Sequence, residues 1–465
     1  MSVTRRFAEF LIATSESGLD GAALASATRL LVDGVAVAAL GAREAGPTLL
    51  RAVAIEAGAR PVATMIGAAE RSSSTEAARA NGAAMHVLDY EPMWNPANHS
   101  LSTTLPAILA LAELLAERRG REAAPRGHEL LTALAVGIET QARLRRASNQ
   151  FEPGELVFHP PSTVGPLGSA VASGLLLGLD AEQLTHAIGI AASRAGGLQV
   201  NIGSMTKALH CGGAAAAGLE AALLAQRGFT ADPDALASPR GYGSAFFRDG
   251  FAPERLTEPH TTLHIVDPGP AFKLYPSQYG THFVITAALE ARRDIPPGTQ
   301  VRAVTIVSPP MPYVDRPSPG SGLAGKFSFQ YVAALALLDG SVSVESFRDE
   351  RRFAHDVEAL LPRIRISPDP TREGRFDRMQ IDVHVELEGG SRAEGRCEGP
   401  PGIWGKPVDP ALLTGKAANC LSAAFGAAHG DAILKSAQQF GNLDPGGVNL
   451  FLGLLSGIGR GAQGG

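Results

Sequence analysis

The sequence predicts a mainly α-helical protein: a large all-helical domain interrupted near its C-terminal end by a smaller α+β domain. Three observations carry this. Up to about residue 228 the chain reads as helix after helix with short Gly or Pro punctuation. After about residue 265 alternating, β-branched segments enter. From Leu412 the pattern is helical again, so the last helices are expected to return to the first body. A length of 465 residues suits two or three domains, with expected boundaries at 1–268, 269–405 and 406–465.

Leu19–Leu40 is rich in Ala and Leu, with Asp33 and Gly34 in its middle. Leu105–Arg118 reads as a helix with Pro106 in its first turn, where proline is tolerated. Glu129–Arg146, Ser169–Leu179, Ala181–Ala192 and His210–Gly228 continue the series. Many of their faces are Ala and Gly, which predicts close, buried helix crossings. Val301–Ser308 and Met379–Leu387 read as strands, the second with Ile381, Val383, Val385 and Leu387 on one face. Arg363–Ile366 is a shorter third strand. Phe283–Arg293, Phe329–Leu338 and Phe353–Leu361 are the accompanying helices. Ala432–Phe440 and Asn449–Leu455 complete the helical return before a Gly-rich tail, Gly457–Gly465, expected to be disordered. No internal repeat is visible.

Composition excludes several classes. With 45% hydrophobic and 19% charged residues the chain has material for a large core and is not a disordered one. Its 53 glycines follow no G-X-Y period, so it is not collagen-like. A balance of 41 basic against 46 acidic residues, without charged runs, argues against nucleic-acid or membrane-surface partners. Cys211, Cys397 and Cys420 form neither a disulfide framework nor an iron–sulfur or zinc ligand pattern. Asp33 and Glu113 interrupt the most apolar stretches, and Glu9 breaks the run after Arg5 and Arg6. The expected setting is a reducing cytoplasm, and no metal is expected.

No P-loop, G-x-S-x-G or H-E-x-x-H is present. Four polar segments stand in otherwise apolar text. In 86–100, His86, Asp89, Glu91, Trp94 and His99 meet where Pro92 and Pro96 must end a helix; a capped loop around a buried Trp94 is the plain alternative. His159 is locked by Pro160 and Pro161 at a helix entrance, either as a fixed acid/base or as a packed histidine. Lysine is scarce, only six (207, 273, 326, 406, 416 and 435), and Lys207 precedes a run of Ala and Gly that must be buried. An ammonium there needs an anion, from the protein or from a ligand. Lys273 opens the segment 272–282 at the expected domain boundary, where clefts concentrate. Asp33, His264, His384 and Cys211 read as structural.

These segments together resemble the MmgE/PrpD family, which includes 2-methylcitrate dehydratase, cis-aconitate decarboxylase and iminodisuccinate epimerase. The resemblance rests on Asn81-Gly82, His86-x-x-Asp89, His99-Ser100, Phe158-His159-Pro160, Lys207, Lys273-x-Tyr275-Pro276-Ser277, Thr281-His282, Tyr313-Val-Asp-Arg316-Pro317 and Phe329-Gln330-Tyr331. It covers nearly the whole chain. It implies that the α+β domain is a lid, that the protein is a homodimer, and that a cofactor-free site between the domains takes small polycarboxylic acids. Asp89, His99, His159, Lys207 and Tyr313 fall at its catalytic positions, and Lys273, Gln278 and Met93 at its substrate-binding ones. Two positions depart from the pattern: Glu91 as the second acid, and Gln278 where relatives carry His or Cys.

The implied activity is a lyase acting on a di- or tricarboxylic acid, by dehydration or decarboxylation. Epimerisation of a related dicarboxylate is the alternative, and a non-enzymatic helical binding protein ranks last. Such chemistry passes through a carbanion or enolate-like species, which needs cations; Lys207 and Lys273, with His99, are expected to clamp it from the two domains. It also needs a proton donor near neutrality, for which His159 is the first choice, while Tyr313 shuttles a proton or holds a carboxylate. Glutamine at 278 cannot transfer a proton, so decarboxylation of cis-aconitate is expected to be weak and dehydration favoured.

Overall fold

The computed structural model describes residues 1–259 and 262–457; the tail from 458 onward lies outside the described residues. The first part folds into α1 (Val3–Glu16), α2 (Gly21–Gly41), α3 (Ala45–Glu56), α4 (Ser74–Val87), α5 (Ser100–Arg119), α6 (Gly127–Ala147), α7 (Pro160–Leu177), α8 (Ala181–Ala192) and α9 (Thr206–Gln226). A short antiparallel pair, β1 (Ala63–Thr64) and β2 (Arg71–Ser72), stands between α3 and α4. One apolar cluster joins α1, α7, α8 and α9 through Phe7, Leu11, Val171, Ile188 and Leu219. A second joins Leu30, Val35, Leu101 and Ile138 to the returning helices α12 (Pro410–Phe425), α13 (Ala427–Gln438) and α14 (Pro445–Leu454).

Between 279 and 397 a third cluster forms around a four-stranded sheet. The strands β3 (Val301–Ser308), β4 (Ile364–Pro368), β5 (Ile381–Leu387) and β6 (Arg392–Cys397) lie in the order β4-β3-β5-β6. β3 pairs parallel with β4 and antiparallel with β5, and β5 pairs antiparallel with β6. The alternation in β5 is realised: Ile381, Val383, Val385 and Leu387 are buried against α10 (Tyr279–Arg293) and α11 (Phe329–Asp339). β6 was not legible, because Arg-Ala-Glu-Gly-Arg-Cys lacks the β-branched residues that mark strands. The helix expected over Phe353–Leu361 is instead two short turns, Asp349–Arg352 and His355–Leu360.

Glycine sets the crossings that carry the site. A Cβ on Gly212 of α9 would stand 2.1 Å from the Arg79 carbonyl oxygen of α4, and one on Gly82 2.8 Å from the Gly212 Cα. Gly218 meets the Pro166 carbonyl in the same way, at 2.4 Å, so α9 is wedged against both α4 and α7. α2, α5 and α9 are long and apolar enough to cross a membrane, and here most of their surface is buried inside the fold. The buried carboxylates of α2 and α5 are paired: Asp33 Oδ1 lies 2.8 Å from Lys416, and Glu113 2.8 Å from Arg71.

Candidate active site

α4 ends in a turn at Leu88–Asp89–Tyr90 that four of the six lysines hold. Lys326 donates to the Leu88 carbonyl (2.9 Å), Lys273 to that of Asp89 (3.0 Å) and Lys416 to that of Tyr90 (2.8 Å). Asp89 sits at φ 51°, a left-handed conformation that a short polar side chain tolerates. Its carboxylate accepts from Lys207 Nζ (Oδ2, 2.7 Å) and from Lys273 Nζ (Oδ1). Burial works to raise the Asp89 carboxyl, but the two ammonium groups outweigh it and hold it well below the usual range. Among the described residues no carboxylate pairs with the buried Lys326, and burial pushes its ammonium down to about 7.

Beside this turn stand three histidines. Lys207 Nζ also donates to His86 Nε2 (2.8 Å). An ammonium has only protons to give, so His86 carries its own proton on Nδ1 and donates it to Glu91 Oε1. Burial and Lys207 keep His86 neutral, its value lowered to about 4 against the pull of Glu91. Glu91 Oε1 further accepts from Ser102 Oγ (3.1 Å), and His99 Nδ1 lies 3.2 Å from the same oxygen. Burial works to raise Glu91 as well, but His86 and His99 hold it well below the usual range. His99 is lowered by burial, with Glu91 opposing.

His159 caps the N-terminus of α7, its backbone N–H donated to the Gly197 carbonyl (2.9 Å), with Pro160 and Pro161 as the first helical residues. Burial, then Lys207, His86 and His99 push it well below its ordinary value. Its Nδ1 lies 3.2 Å from Nδ1 of His210.

Tyr313 arrives from the sheet-bearing body. Gln278 caps α10, its Oε1 accepting from Thr281 N–H (3.1 Å). The amide N–H₂ therefore points the other way and donates to Tyr313 Oη (3.1 Å), leaving the phenol proton free to be donated elsewhere. Burial raises Tyr313, so it stays protonated.

These groups open on one narrow pocket between the two bodies. Asp89, His99, His159, Lys207, Gln278, Tyr313 and Met93 line it. Met93 also ties the bodies together through backbone hydrogen bonds with Ala271 (3.1 and 2.7 Å). Lys273 does not line the pocket. It stands fully buried behind Asp89, with its remaining bond to the Ser277 carbonyl (3.1 Å). The expected two-lysine clamp on a ligand is thus corrected: Asp89 absorbs Lys273, and Lys207 alone reaches the cavity.

Sequence reasoning passed over His86, Glu91, His210, Lys326 and Lys416 as site residues, although all but the last two stood inside the singled-out segments. Lysine scarcity was the signal for those two. The expected start of α5 at Leu105 was late for a related reason: Ser100 to Thr104 look like a loop. They are helical, and Ser102 and Thr103 hydroxyls are spent on Glu91 and Gln141. α7 and α9 also begin earlier than expected, which places Lys207 inside the first turn of α9. His264 bonds Glu139 (2.9 Å), His384 lies on the surface beside Glu394 and Cys211 is buried, as structural residues do.

His86, Glu91 and His99 bring one donor atom each within 4.8 Å of the others, close enough to hold a metal. Two of those atoms already share a hydrogen bond, and Lys207 presses a positive charge on His86 from behind. The cluster suits protons better than a cation.

Two sequence profiles match the chain: that of the MmgE/PrpD N-terminal domain over residues 5–254 and that of the MmgE/PrpD C-terminal domain over 275–440. The cis-aconitate decarboxylase of Mus musculus is 34% identical over 356 residues, 74% of this chain and 71% of its own length. That of Homo sapiens is 35% identical over 345 residues, covering 73% and 70%. That of Aspergillus terreus is 26% identical over 406 residues, covering 82% and 81%.

Proposed function

The chain belongs to the MmgE/PrpD family and is a lyase of that type, and from that premise we propose that it removes CO₂ from a small unsaturated tricarboxylic acid, cis-aconitate being the first to test. One observation carries this reading. His159 from the helical body and Tyr313 from the sheet-bearing body both line the pocket that Lys207 enters. The names of the relatives at 34 and 35% identity support the same choice.

The chemistry needs no cofactor. cis-Aconitate carries a CH₂–COO⁻ arm next to its C=C. As CO₂ leaves that arm, the bonding pair forms a new C=C and the old π pair moves to the far carbon, beside another carboxylate. That carbon takes one proton, giving a dicarboxylate and CO₂. Negative charge grows on the far carboxylate during the shift, and Lys207 and the Tyr313 O–H can hold it. His159 supplies the proton. Gln278 is not asked to transfer one: it orients Tyr313, so the missing histidine no longer ranks decarboxylation below dehydration.

The second reading is dehydration of a hydroxy acid such as 2-methylcitrate, for which the same cation and proton donor would serve. Incubation with cis-aconitate, 2-methylcitrate and iminodisuccinate in D₂O, followed by proton NMR and CO₂ detection, separates the possibilities. New geminal vinyl protons with matching CO₂ support decarboxylation. Water loss from the hydroxy acid without CO₂ makes it a hydro-lyase, and deuterium uptake without a new product makes it an epimerase. Activity should persist in chelator; its loss and return with Mg²⁺, Zn²⁺ or iron would overturn metal independence. The reading includes a homodimer, supported by exposed apolar side chains: Leu49 and Val53 of α3, and Leu198, Val200, Met205 and Leu209 between α8 and the first turns of α9. Light scattering tests it.

A further inference from the structure

Resting on the reading that His159 is the acid, we infer that His210 is a positioning residue for it: a neutral imidazole that accepts the Nδ1–H of His159, so that His159 can become an imidazolium and present its Nε2–H to the substrate. His210 belongs to α9, one helical turn after Lys207, and is half-buried, whereas His159 is fully enclosed. Gly197 holds the pair from outside, its carbonyl on the His159 N–H and a would-be Cβ 3.0 Å from His210 Cδ2.

The argument begins with the sorting of the histidines. His86 and His99 both lie against Glu91. Among the described residues no carboxylate is hydrogen-bonded or ion-paired to His159, and its hydrogen-bonded side-chain neighbour is another imidazole. A distance of 3.2 Å between two Nδ1 atoms admits one shared hydrogen, so one ring donates and the other must accept. Lys207 and His210 from α9, His86 from α4 and His99 at the start of α5 face His159, and Asp89 and Tyr313 line the same pocket. Lys207 also faces His210 and disfavours a proton there. Burial and Lys207 lower His159 further still, so both rings are neutral at rest. The direction of the shared hydrogen follows from the reading itself: an imidazolium at His159 carries an N–H on each nitrogen, and across 3.2 Å His210 can then only accept.

The weakness of this partner is what the reaction requires. A carboxylate against His159 would stabilise the imidazolium and make it a poor acid. A neutral acceptor fixes the ring and the tautomer but leaves the proton easily given. The opposite charge comes from the substrate. Lys207, Lys273, Asp89 and Glu91 cancel one another, so an arriving tricarboxylate adds net negative charge and draws a proton onto the pair. With Nδ1 committed to His210, the proton that leaves for carbon is the one on Nε2, after which neutral His159 still donates Nδ1–H to His210.

The test compares His210→Phe, which removes the acceptor, with His210→Gln, whose amide oxygen can replace it. In ¹⁵N-histidine NMR with tricarballylate, a saturated tricarboxylate, bound, the His159 titration should move down by about one unit or more in His210→Phe, the worth of a hydrogen bond to a charged group. It should return most of the way in His210→Gln. On cis-aconitate, kcat of His210→Phe should fall tenfold or more at pH 7 with KM nearly unchanged, and its high-pH limb should shift to lower pH. An unmoved His159 titration in His210→Phe, or a Gln variant no better than Phe, overturns the inference. If wild type does not turn over cis-aconitate, the substrate reading fails, and the NMR comparison still decides the role of His210.

Discussion

Asp89 takes both Lys207 and Lys273, and this divides their roles. Removing Lys273 leaves a fully buried position empty and one side of a buried carboxylate unpaired. Lys273→Met should cost about 3–5 kcal/mol, read as a lower urea midpoint. Lys207→Met leaves Asp89 paired with Lys273, so the fold should survive with a smaller loss. Its kcat/KM should drop at least about a hundredfold, since the cation that reaches the pocket is gone. Equal loss of stability in the two variants would contradict the division. Gln278 offers a second comparison at this scale. Gln278→Leu removes the cap of α10 and the donor to Tyr313, costing about 1 kcal/mol of stability and an expected tenfold or more in turnover. Gln278→His retains a ring nitrogen for each task and should change turnover less than tenfold. A gain of a hundredfold in CO₂ release would show instead that a proton-transferring group at 278 decides the reaction.

Lys207 is useful only because α9 approaches α4 closely enough for its ammonium to reach His86 and Asp89. That approach depends on Gly212 and Gly82 meeting face to face. Gly212→Ala places a methyl 2.1 Å from a helix carbonyl, which neither backbone can avoid without moving. A loss of about 1–3 kcal/mol or more is expected, together with a fall in activity as Lys207 shifts. Gly213→Ala is the control. Its Cβ meets nothing within 4 Å, and alanine is the better helix former by about 1 kcal/mol, so stability should hold or rise. Thermal melting of the two variants reads the difference.

Across the whole molecule the buried charges set the pH range of the fold. His86 stays neutral in the fold down to about pH 4 but takes a proton near 6.5 when unfolded. His99 and His159 are shifted in the same direction. The unfolded chain therefore binds more protons below pH 6.5, and stability falls as pH drops through that range. His86 alone accounts for about 3 kcal/mol between 6.5 and 4. Asp89 and Glu91, lowered in the fold, extend the loss below the ordinary carboxylate range. Lys326 acts at the other end. Charged in the unfolded chain up to about 10.5 but only to about 7 in the fold, it makes stability rise between those values. Urea midpoints from pH 4 to 10 should show both slopes, and Lys326→Met should flatten the upper one.

What the sequence by itself determined is of two kinds. Periodicity and composition marked the helical body, the alternating strand β5 and the helical return, because a face that must be buried repeats at 3.6 or 2 residues whatever its partner. Contrast marked the site: Lys207 stood out as a scarce lysine before buried alanines and glycines, and His86, Asp89, His99 and His159 as polar residues set in apolar, proline-marked text. The tertiary structure decided which atoms those groups spend on one another. Lys273 and Asp89 are 184 positions apart, and Lys207 and His86 are 121 apart. No local pattern says that the first pair closes on itself while Lys207 opens on the cavity. The same holds for β6, whose small and charged residues form a strand only because β5 and α10 offer it hydrogen bonds and a surface. Hydrogen bonds and Coulomb forces act over a few ångströms of space, and along the chain those ångströms are separated by whole helices.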